Sequence, residues 1–270
     1  MLLLIITVLA LLGAVGAFFG GGILSGILAF IGGWIGWLIL AALVLLIAVA
    51  LVDKDKEEEN DSKFYRALTH LWIEFVIAVG RVKIKTQGLD KIPTDGRFLL
   101  VCNHQADIDP ALLMHCFPKS QLAFIGKKET KDMPIIGAMM HKLLCQYINR
   151  ENDREALKTI LKCIQIVKED KASIGVFPEG GILSEDGKLH HFRPGVFKIA
   201  QKADVPIVVC TLKNTKDVVH NIKHLKPSSV EMSVLDVIPA EQLKGVTTVD
   251  IANRCYQLMA EDLGPDLIAE

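Results

Sequence analysis

A histidine and an aspartate lie five residues apart in the stretch Asn103-His104-Gln105-Ala106-Asp107-Ile108-Asp109-Pro110. The apolar run 98–102 before it predicts a buried strand, and 111–114 predicts the first turn of a helix. Asp is a favoured N-cap and Pro a favoured first helical residue, so Asp109 and Pro110 are predicted to open that helix. A turn of this kind can place the Asp109 carboxylate on one ring nitrogen of His104. The other nitrogen is then available as a general base.

The same spacing also fits a strand-end histidine and a helix-capping aspartate with no chemistry. Asp107 competes as the partner of His104, but the cap position favours Asp109. No Ser or Cys lies in an elbow-type nucleophile motif near His104. If the pair is catalytic, its base therefore acts on a hydroxyl group of the substrate itself.

The first 52 residues contain no charged side chain. A single helix of that length would be about 78 Å long at ~1.5 Å per residue, against a hydrocarbon core of ~30 Å. The segment 1–52 is therefore predicted to be a transmembrane helical hairpin with its break in or near Gly20-Gly21-Gly22. Trp34 and Trp37 are candidates for a membrane interface, which would shorten the second span, so one span and two both stay open.

The side of the membrane follows from the rest of the composition. A cleaved signal peptide is disfavoured because the start has no basic region and the apolar run continues too far. The six cysteines show no paired spacing, which indicates reduced thiols in the cytoplasm. Two spans put both ends on one side, so we expect an integral membrane protein whose soluble domain faces the cytoplasm. The net charge of -1 does not favour nucleic acid as a partner.

The remaining chain divides by charge and periodicity. Residues 53–61 are predicted to be a solvated, charged linker. Residues 62–80 have helical apolar spacing, and the sequence leaves open whether this helix lies on the membrane surface or packs in the core. Strands alternate with helices across 81–270, which predicts an α/β domain with a largely parallel central sheet flanked by helices.

Four blocks of this domain, in order, resemble the glycerolipid acyltransferase family, of the lysophosphatidate (1-acyl-sn-glycerol-3-phosphate) acyltransferase type. The resemblance covers 98–210 and rests on the following motifs: Asn103-His104 with Asp109, which matches the family's H-x4-D signature; Lys127 and Lys128 through Pro134 and Gly137 to Tyr147-Ile148-Asn149-Arg150; Val176-Phe177-Pro178-Glu179-Gly180; and Val205-Pro206-Ile207-Val208.

The resemblance implies a membrane-bound enzyme of phospholipid biosynthesis. It would move a fatty acyl group from acyl-CoA or acyl carrier protein to the free hydroxyl of 1-acylglycerol 3-phosphate, giving phosphatidate. His104 would be the general base and Asp109 would orient it. The implied partners are the lipid bilayer, the lysophospholipid acceptor and the acyl thioester, which is a co-substrate. No cofactor is required.

The same resemblance implies a set of substrate-binding residues. Glu179 would hold the glycerol portion of the acceptor, and backbone N–H groups near Gly137 would stabilise the developing oxyanion. Arg150, Lys127 and Lys128 would bind the phosphate. Asn103 and Gly180 complete the predicted set.

One departure from the family concerns the phosphate. The third block commonly continues FPEG-Thr-Arg-Ser, but here Ile182 stands where the Arg is usual. Arg193, near the start of the following helix, could substitute for it, or the acceptor is a different lysolipid. A catalytically silent membrane lipid-binding module is the alternative from another functional class. The remaining histidine pairs, 190–191 and 220 with 224, have no further ligands at metal-site spacing, so no metal is predicted.

Overall fold

The computed structural model describes residues 1–149, 151–183 and 187–269. Helix α1 (Leu2–Ala50) is interrupted at Gly22, where φ is 79° and ψ is -167°. Glycine adopts this backbone conformation at little cost because it has no Cβ. The break lies within the glycine run that the sequence singled out.

The two halves of α1 fold back on each other as an antiparallel pair. Trp34 Nε1 donates to Thr7 Oγ1 at 3.3 Å, which joins residues 27 positions apart. A Cβ atom at Gly33 would lie 3.6 Å from the Ala10 Cα, so the absence of a side chain there permits close backbone approach. By length and composition α1 is apolar enough to cross a membrane.

The charged segment 53–61 is mostly exposed, and several of its groups also contact the α/β domain. Lys54 Nζ donates to the Lys131 carbonyl oxygen at 2.8 Å, and His141 Nε2 lies 2.9 Å from the Lys56 carbonyl oxygen. Further ion pairs join Glu57 to Lys162, Glu58 to Lys142, and Asp61 to Arg66. The sequence pattern could not show the pairs of Glu57 and Glu58, because their cations come from helices that are distant in sequence.

Helix α2 (Lys63–Val79) begins after Ser62, whose hydroxyl oxygen accepts the Tyr65 N–H. Leu68 and Ile77 are buried, whereas Phe64 is exposed. The Tyr65 hydroxyl also donates to the Ala48 carbonyl oxygen at 2.9 Å, which ties α2 to the end of α1. One face of α2 therefore packs inward, and the helix connects the apolar hairpin to the domain.

The described residues of the domain form one sheet with strand order β1-β7-β6-β2-β5-β3-β4. All neighbouring strands are parallel except β6 and β7. The strands are β1 (Val82–Gln87), β2 (Leu99–Cys102), β3 (Leu122–Lys127), β4 (Gln146–Ile148), β5 (Ser173–Val176), β6 (Ile207–Lys213) and β7 (Ser228–Ile238). The accompanying helices are α3 (Asp109–Cys116), α4 (Pro134–Lys142), α5 (Asp153–Lys168), α6 (Lys198–Ala203), α7 (Val218–Lys223) and α8 (Thr248–Leu263).

This architecture confirms the predicted α/β class and the largely parallel sheet. Strands β2 and β5 are buried along their whole length, as expected for short strands that are covered on both faces. The six cysteines are all buried free thiols, in agreement with the prediction. Since β2, β5 and β3 run parallel, the residues that follow them meet at one edge of the sheet, where α/β proteins commonly bind ligands.

Candidate active site

The residues that follow β2 and β5 converge at this carboxyl edge. His104 comes two residues after the last residue of β2, and Glu179 comes three residues after the last residue of β5. Because these two strands pair directly, with Val101 opposite Val176, the segments beyond them remain adjacent. The His104 backbone N–H accordingly donates to Glu179 Oε1 at 2.8 Å.

His104 and Asp109 form a hydrogen-bonded pair. His104 Nδ1 lies 2.9 Å from Asp109 Oδ2, and the Asp109 side chain is completely buried. A carboxylate oxygen accepts hydrogen bonds, so it favours the tautomer that carries the proton on Nδ1. The lone pair of the neutral imidazole is then on Nε2, as a general base requires. Asp107 is exposed, and the partner of His104 is Asp109, as predicted.

The Asp109 carboxylate also organises the turn before the helix. Its Oδ2 accepts the backbone N–H groups of Gln105 at 2.7 Å and Ala106 at 2.9 Å. Asp109 is the first residue of α3, and Ile108 is the N-cap, so the predicted capping role is wrong. The carboxylate binds back to the turn instead of forward to the helix. One oxygen with three N–H donors holds the imidazole and the backbone around it in a single arrangement.

An aromatic ring supports the imidazole from one face. The rings of His104 and Phe177 stack with their centroids 4.0 Å apart and their planes 17° apart. Phe177 stacks in turn on Phe124, at 5.9 Å. The imidazole is thus restrained by Asp109 at Nδ1 and by Phe177 across its face, and 14% of its side chain remains exposed.

The segment after β5 is a tight turn that directs Glu179 toward His104. The Gly180 N–H donates to the Phe177 carbonyl oxygen at 3.0 Å, with Pro178 at the position that proline favours in a β-turn. Gly180 has a φ of 86°, in the left-handed region where glycine is favoured. The Phe-Pro-Glu-Gly order is therefore explained by backbone geometry before any contact with a substrate is considered.

Glu179 joins two backbone segments. Its Oε1 accepts the His104 N–H, and its Oε2 accepts the His190 N–H at 2.9 Å. The residue is 2% exposed. This placement does not support the expectation that Glu179 grips the acceptor, because each oxygen already accepts a backbone N–H and the side chain is shielded. Its contacts are those of a positioning residue that holds the backbone of His104.

Burial raises the pKa of Glu179 from 4.5 to about 7, although the two N–H donors act in the opposite direction. Between these values the folded protein binds more protons at this site than the unfolded chain. Stability contributed by the protonated carboxyl is therefore present at low pH and is lost as the pH rises toward 7.

We predict that the thermal unfolding temperature of the wild type falls more steeply between pH 4.5 and pH 7 than that of Glu179→Gln, in which this titration is absent. Scanning calorimetry across this range measures both slopes. Parallel profiles for the two proteins would contradict the raised pKa. Glu241→Gln, on the surface between β7 and α8, serves as the matched control and should keep the wild-type slope.

Gly180 and Arg193 lie against each other. A Cβ atom at Gly180 would come within 2.7 Å of Arg193 Nε, so the arginine side chain occupies the space that the missing side chain leaves. The Arg193 backbone N–H donates to the Pro178 carbonyl oxygen at 2.8 Å, which holds the arginine beside the turn. Arg193 is exposed, so its guanidinium reaches solvent beside the turn.

Other predicted site residues lie in different surroundings. The Asn103 amide is buried and exchanges two hydrogen bonds with the Leu212 backbone in β6, at 2.9 and 2.8 Å, so it connects strands and does not face a ligand. The Gly137 N–H donates to the Met133 carbonyl oxygen at 2.9 Å. Because this N–H takes part in the first turn of α4, it is not free to stabilise an oxyanion. Lys127 and Lys128 are exposed at the end of β3. Arg150 lies outside the described residues.

Sequence reasoning missed several residues that support the pair. Gln105 Nε2 donates to the Gly187 carbonyl oxygen at 2.8 Å, and its Oε1 accepts the Thr215 N–H at 3.3 Å. Phe177 was noted as part of a motif but not as the ring that packs on His104. A glutamine in a polar turn after a buried strand is a signal for such a bridge. The sequence does not identify its partners, because they are over 80 residues away.

Comparisons with known proteins find similarity in the part of the chain that contains these residues. Residues 83–213 match the Acyltransferase family. A chloroplastic 1-acyl-sn-glycerol-3-phosphate acyltransferase of Brassica napus is 33% identical over 154 residues, covering 57% of this chain and 43% of that protein. A probable 1-acyl-sn-glycerol-3-phosphate acyltransferase of Mycoplasma pneumoniae is 29% identical over 205 residues, covering 72% of this chain and 74% of that protein.

A solved structure shows the same fold. The crystal structure of the 1-acyl-sn-glycerophosphate acyltransferase PlsC from Thermotoga maritima superposes with a TM-score of 0.58 at 19% identity, covering 83% of this chain and 88% of that one. The chain spans 43% of the Brassica protein and 62% of a probable relative from Mycoplasma genitalium.

The family match covers residues 83–213, and the solved structure shares the fold of the chain. The matching family is Acyltransferase, and the chain is similar to curated proteins named 1-acyl-sn-glycerol-3-phosphate acyltransferases. This result confirms the resemblance that the four sequence blocks indicated.

Proposed function

We propose that this protein transfers a fatty acyl group from an acyl thioester to the free hydroxyl of 1-acylglycerol 3-phosphate, giving phosphatidate. The observation that carries the proposal is the contact of 2.9 Å between His104 Nδ1 and Asp109 Oδ2 at the carboxyl edge of the sheet. The similarity to proteins named 1-acyl-sn-glycerol-3-phosphate acyltransferases supports this choice of acceptor. Acyl-CoA and acyl carrier protein are both suitable donors.

The proposed reaction uses the neutral imidazole as a base. His104 Nε2 takes the hydroxyl proton while the acceptor oxygen attacks the thioester carbonyl carbon. Asp109 holds the ring and stabilises the imidazolium that forms. The tetrahedral intermediate collapses as the carbon–sulfur bond breaks, and the imidazolium returns the proton to the departing thiolate. The products are the new ester and a free thiol, so neither a cofactor nor a covalent enzyme intermediate is required.

Arg193 is the proposed ligand of the acceptor phosphate. It lies against Gly180, beside the turn that carries Glu179, and its side chain is exposed. A guanidinium can bind two phosphate oxygens at once, which suits a phosphomonoester. Lys127 and Lys128, at the end of β3, are proposed to add positive charge near the same edge of the sheet. The role of Arg150 stays a prediction.

The hairpin is proposed to hold the domain on the bilayer in which acceptor and product dissolve. Its two halves pack antiparallel, and α2 and α4 contact it from the domain side. An apolar helical pair attached directly to the domain keeps the catalytic edge close to the lipid. We propose that the domain faces the cytoplasm, where acyl-CoA and acyl carrier protein are found.

The test is turnover of labelled acyl thioester by purified protein in detergent or vesicles, with a panel of acceptors. Lysophosphatidate should be the preferred acceptor, and Arg193→Ala should raise its KM about 10- to 100-fold, since a hydrogen-bonded charge pair is lost. The KM for monoacylglycerol, which has no phosphate, should change less than about twofold. Arg254→Ala, an exposed arginine on α8 that pairs with Asp236, is the matched control. An equal rise in KM for both acceptors would contradict the role of Arg193.

A second acceptor class has one observation in its favour. Ile182 stands where the family commonly has an arginine, so the phosphate site of this chain differs from the usual one. Activity confined to acceptors without a phosphomonoester would replace lysophosphatidate with another lysolipid. Absence of transfer to every acceptor would favour the silent lipid-binding module.

A further inference from the structure

The C-terminal segment Gly264–Ala269 meets the loop 187–193 that lies beside the active site. The Leu189 N–H donates to the Leu267 carbonyl oxygen at 2.8 Å, and the Ala269 N–H donates to the Leu189 carbonyl oxygen at 3.0 Å. These bonds form a parallel bridge between Leu189 and Ile268. Leu189 is 1% exposed and belongs to the hydrophobic core. The C-terminal segment therefore binds the loop at a residue that is itself fixed by packing.

The next residue of the loop carries this contact to the catalytic histidine. The His190 N–H donates to Glu179 Oε2 at 2.9 Å, and Glu179 Oε1 accepts the His104 N–H at 2.8 Å. Ala269 is thus connected to His104 by a backbone hydrogen bond to Leu189, the peptide bond from Leu189 to His190, and the two hydrogen bonds that the Glu179 carboxyl accepts.

Helix α8 supports the same loop from an adjacent position. The Tyr256 ring stacks with His191 at 5.9 Å and meets Phe192 edge-on at 5.3 Å. Gly264, with a φ of 81°, ends α8 and turns the chain toward Leu189. The far end of the chain therefore reaches the loop through two kinds of contact.

We infer that the segment Gly264–Ala269 is a positioning element for His104 in the proposed acyl transfer. It holds Leu189 and His190, and through them it fixes the Glu179 carboxyl against the His104 backbone. The inference rests on the proposed function, because the general base must be kept within a fraction of an ångström of the acceptor hydroxyl. The segment acts on the site through its hydrogen bonds to Leu189.

The test removes one N–H group from the path. Ala269→Pro deletes the donor to the Leu189 carbonyl oxygen, while Ala269→Gly keeps it and is the matched control. We expect Ala269→Pro to lower kcat about tenfold with KM for both substrates within about twofold, since misplacement of the base slows chemistry more than binding. Ala269→Gly should keep at least about half of the wild-type kcat. A folded Ala269→Pro protein with wild-type kcat would overturn the inference.

A double-mutant cycle separates positioning from a general loss of stability. Glu179→Gln breaks the path in its middle, because an amide nitrogen cannot accept an N–H. In that background Ala269→Pro should lower kcat less than about twofold further. Equal losses from Ala269→Pro in both backgrounds would show that the tail acts independently of Glu179, which contradicts the inference.

Amide hydrogen exchange gives a readout that does not depend on activity. The His190 and His104 amides should exchange at least about tenfold faster in Ala269→Pro than in the wild type, while the amides of β1 keep their rates. Unchanged exchange at both histidines would overturn the inference even if no acyl transfer were detected. Conversely, faster exchange without any acyl transfer by the wild type would refute the proposed function and leave the structural connection intact. If Ala269→Pro does not fold, hydrogen exchange of the wild type is the test. The Ala269, His190 and His104 amides should exchange with similar opening free energies, and clearly different values would overturn the inference.

Discussion

His104→Ala should lower the rate of acyl transfer by at least about 10³-fold, because it removes the base that takes the hydroxyl proton. The loss should appear in kcat for every active acceptor, since the proton transfer is common to all of them. Measurement of thiol release and of labelled ester, side by side with the wild type, checks this expectation.

The variant should remain folded. Asp109 keeps two backbone N–H donors, from Gln105 and Ala106, when the imidazole is removed. His220→Ala is the matched control, because His220 is an exposed histidine on α7 that stacks on His224. Acyl transfer by His104→Ala at the wild-type rate would remove the basis of the proposed enzyme.

Asp109→Asn should reduce kcat by about 10²- to 10⁴-fold while the protein stays folded, because a neutral amide cannot stabilise the imidazolium. The asparagine oxygen can still accept the N–H groups of Gln105 and Ala106, so the turn keeps its acceptor. Asp109→Ala should also destabilise the fold, since each buried N–H left without an acceptor costs about 1–3 kcal/mol.

The two variants together distinguish the electrostatic role of the Asp109 carboxylate from its role as a hydrogen-bond acceptor for the backbone. Chemical denaturation with activity measured on the same samples separates the loss of kcat from the loss of stability. Asp107→Asn is the control, because Asp107 is exposed two residues away and should leave kcat within about twofold. A small effect of Asp109→Asn beside a large effect of Asp109→Ala would mean that Asp109 acts through the backbone alone.

The local pattern was sufficient for much of the fold. The continuous apolar run 98–102 predicted β2, because a strand that is covered on both faces has no polar face and so shows no alternation. The His104–Asp109 contact was also predictable, since both residues belong to one short turn and the partner choice depends on few torsion angles.

The roles of longer-range residues were not predictable. The sequence places Glu179 at the end of a strand, but only the sheet order brings its oxygens to the N–H groups of His104 and His190. Glu57 and Glu58 of the acidic run pair with Lys162 on α5 and Lys142 on α4, which the composition of the run does not indicate. A local pattern contains no information about which distant charges will become neighbours.

The sequence by itself determined the apolar hairpin segment, the α/β class and the position of the histidine–aspartate pair, because each depends on residues close together in the chain. Tertiary structure decided that Glu179 binds backbone, that Phe177 covers the imidazole, and that Ala269 is connected to the site. These contacts join segments dozens of residues apart, and they form only when parallel strands and the last helix pack around one core.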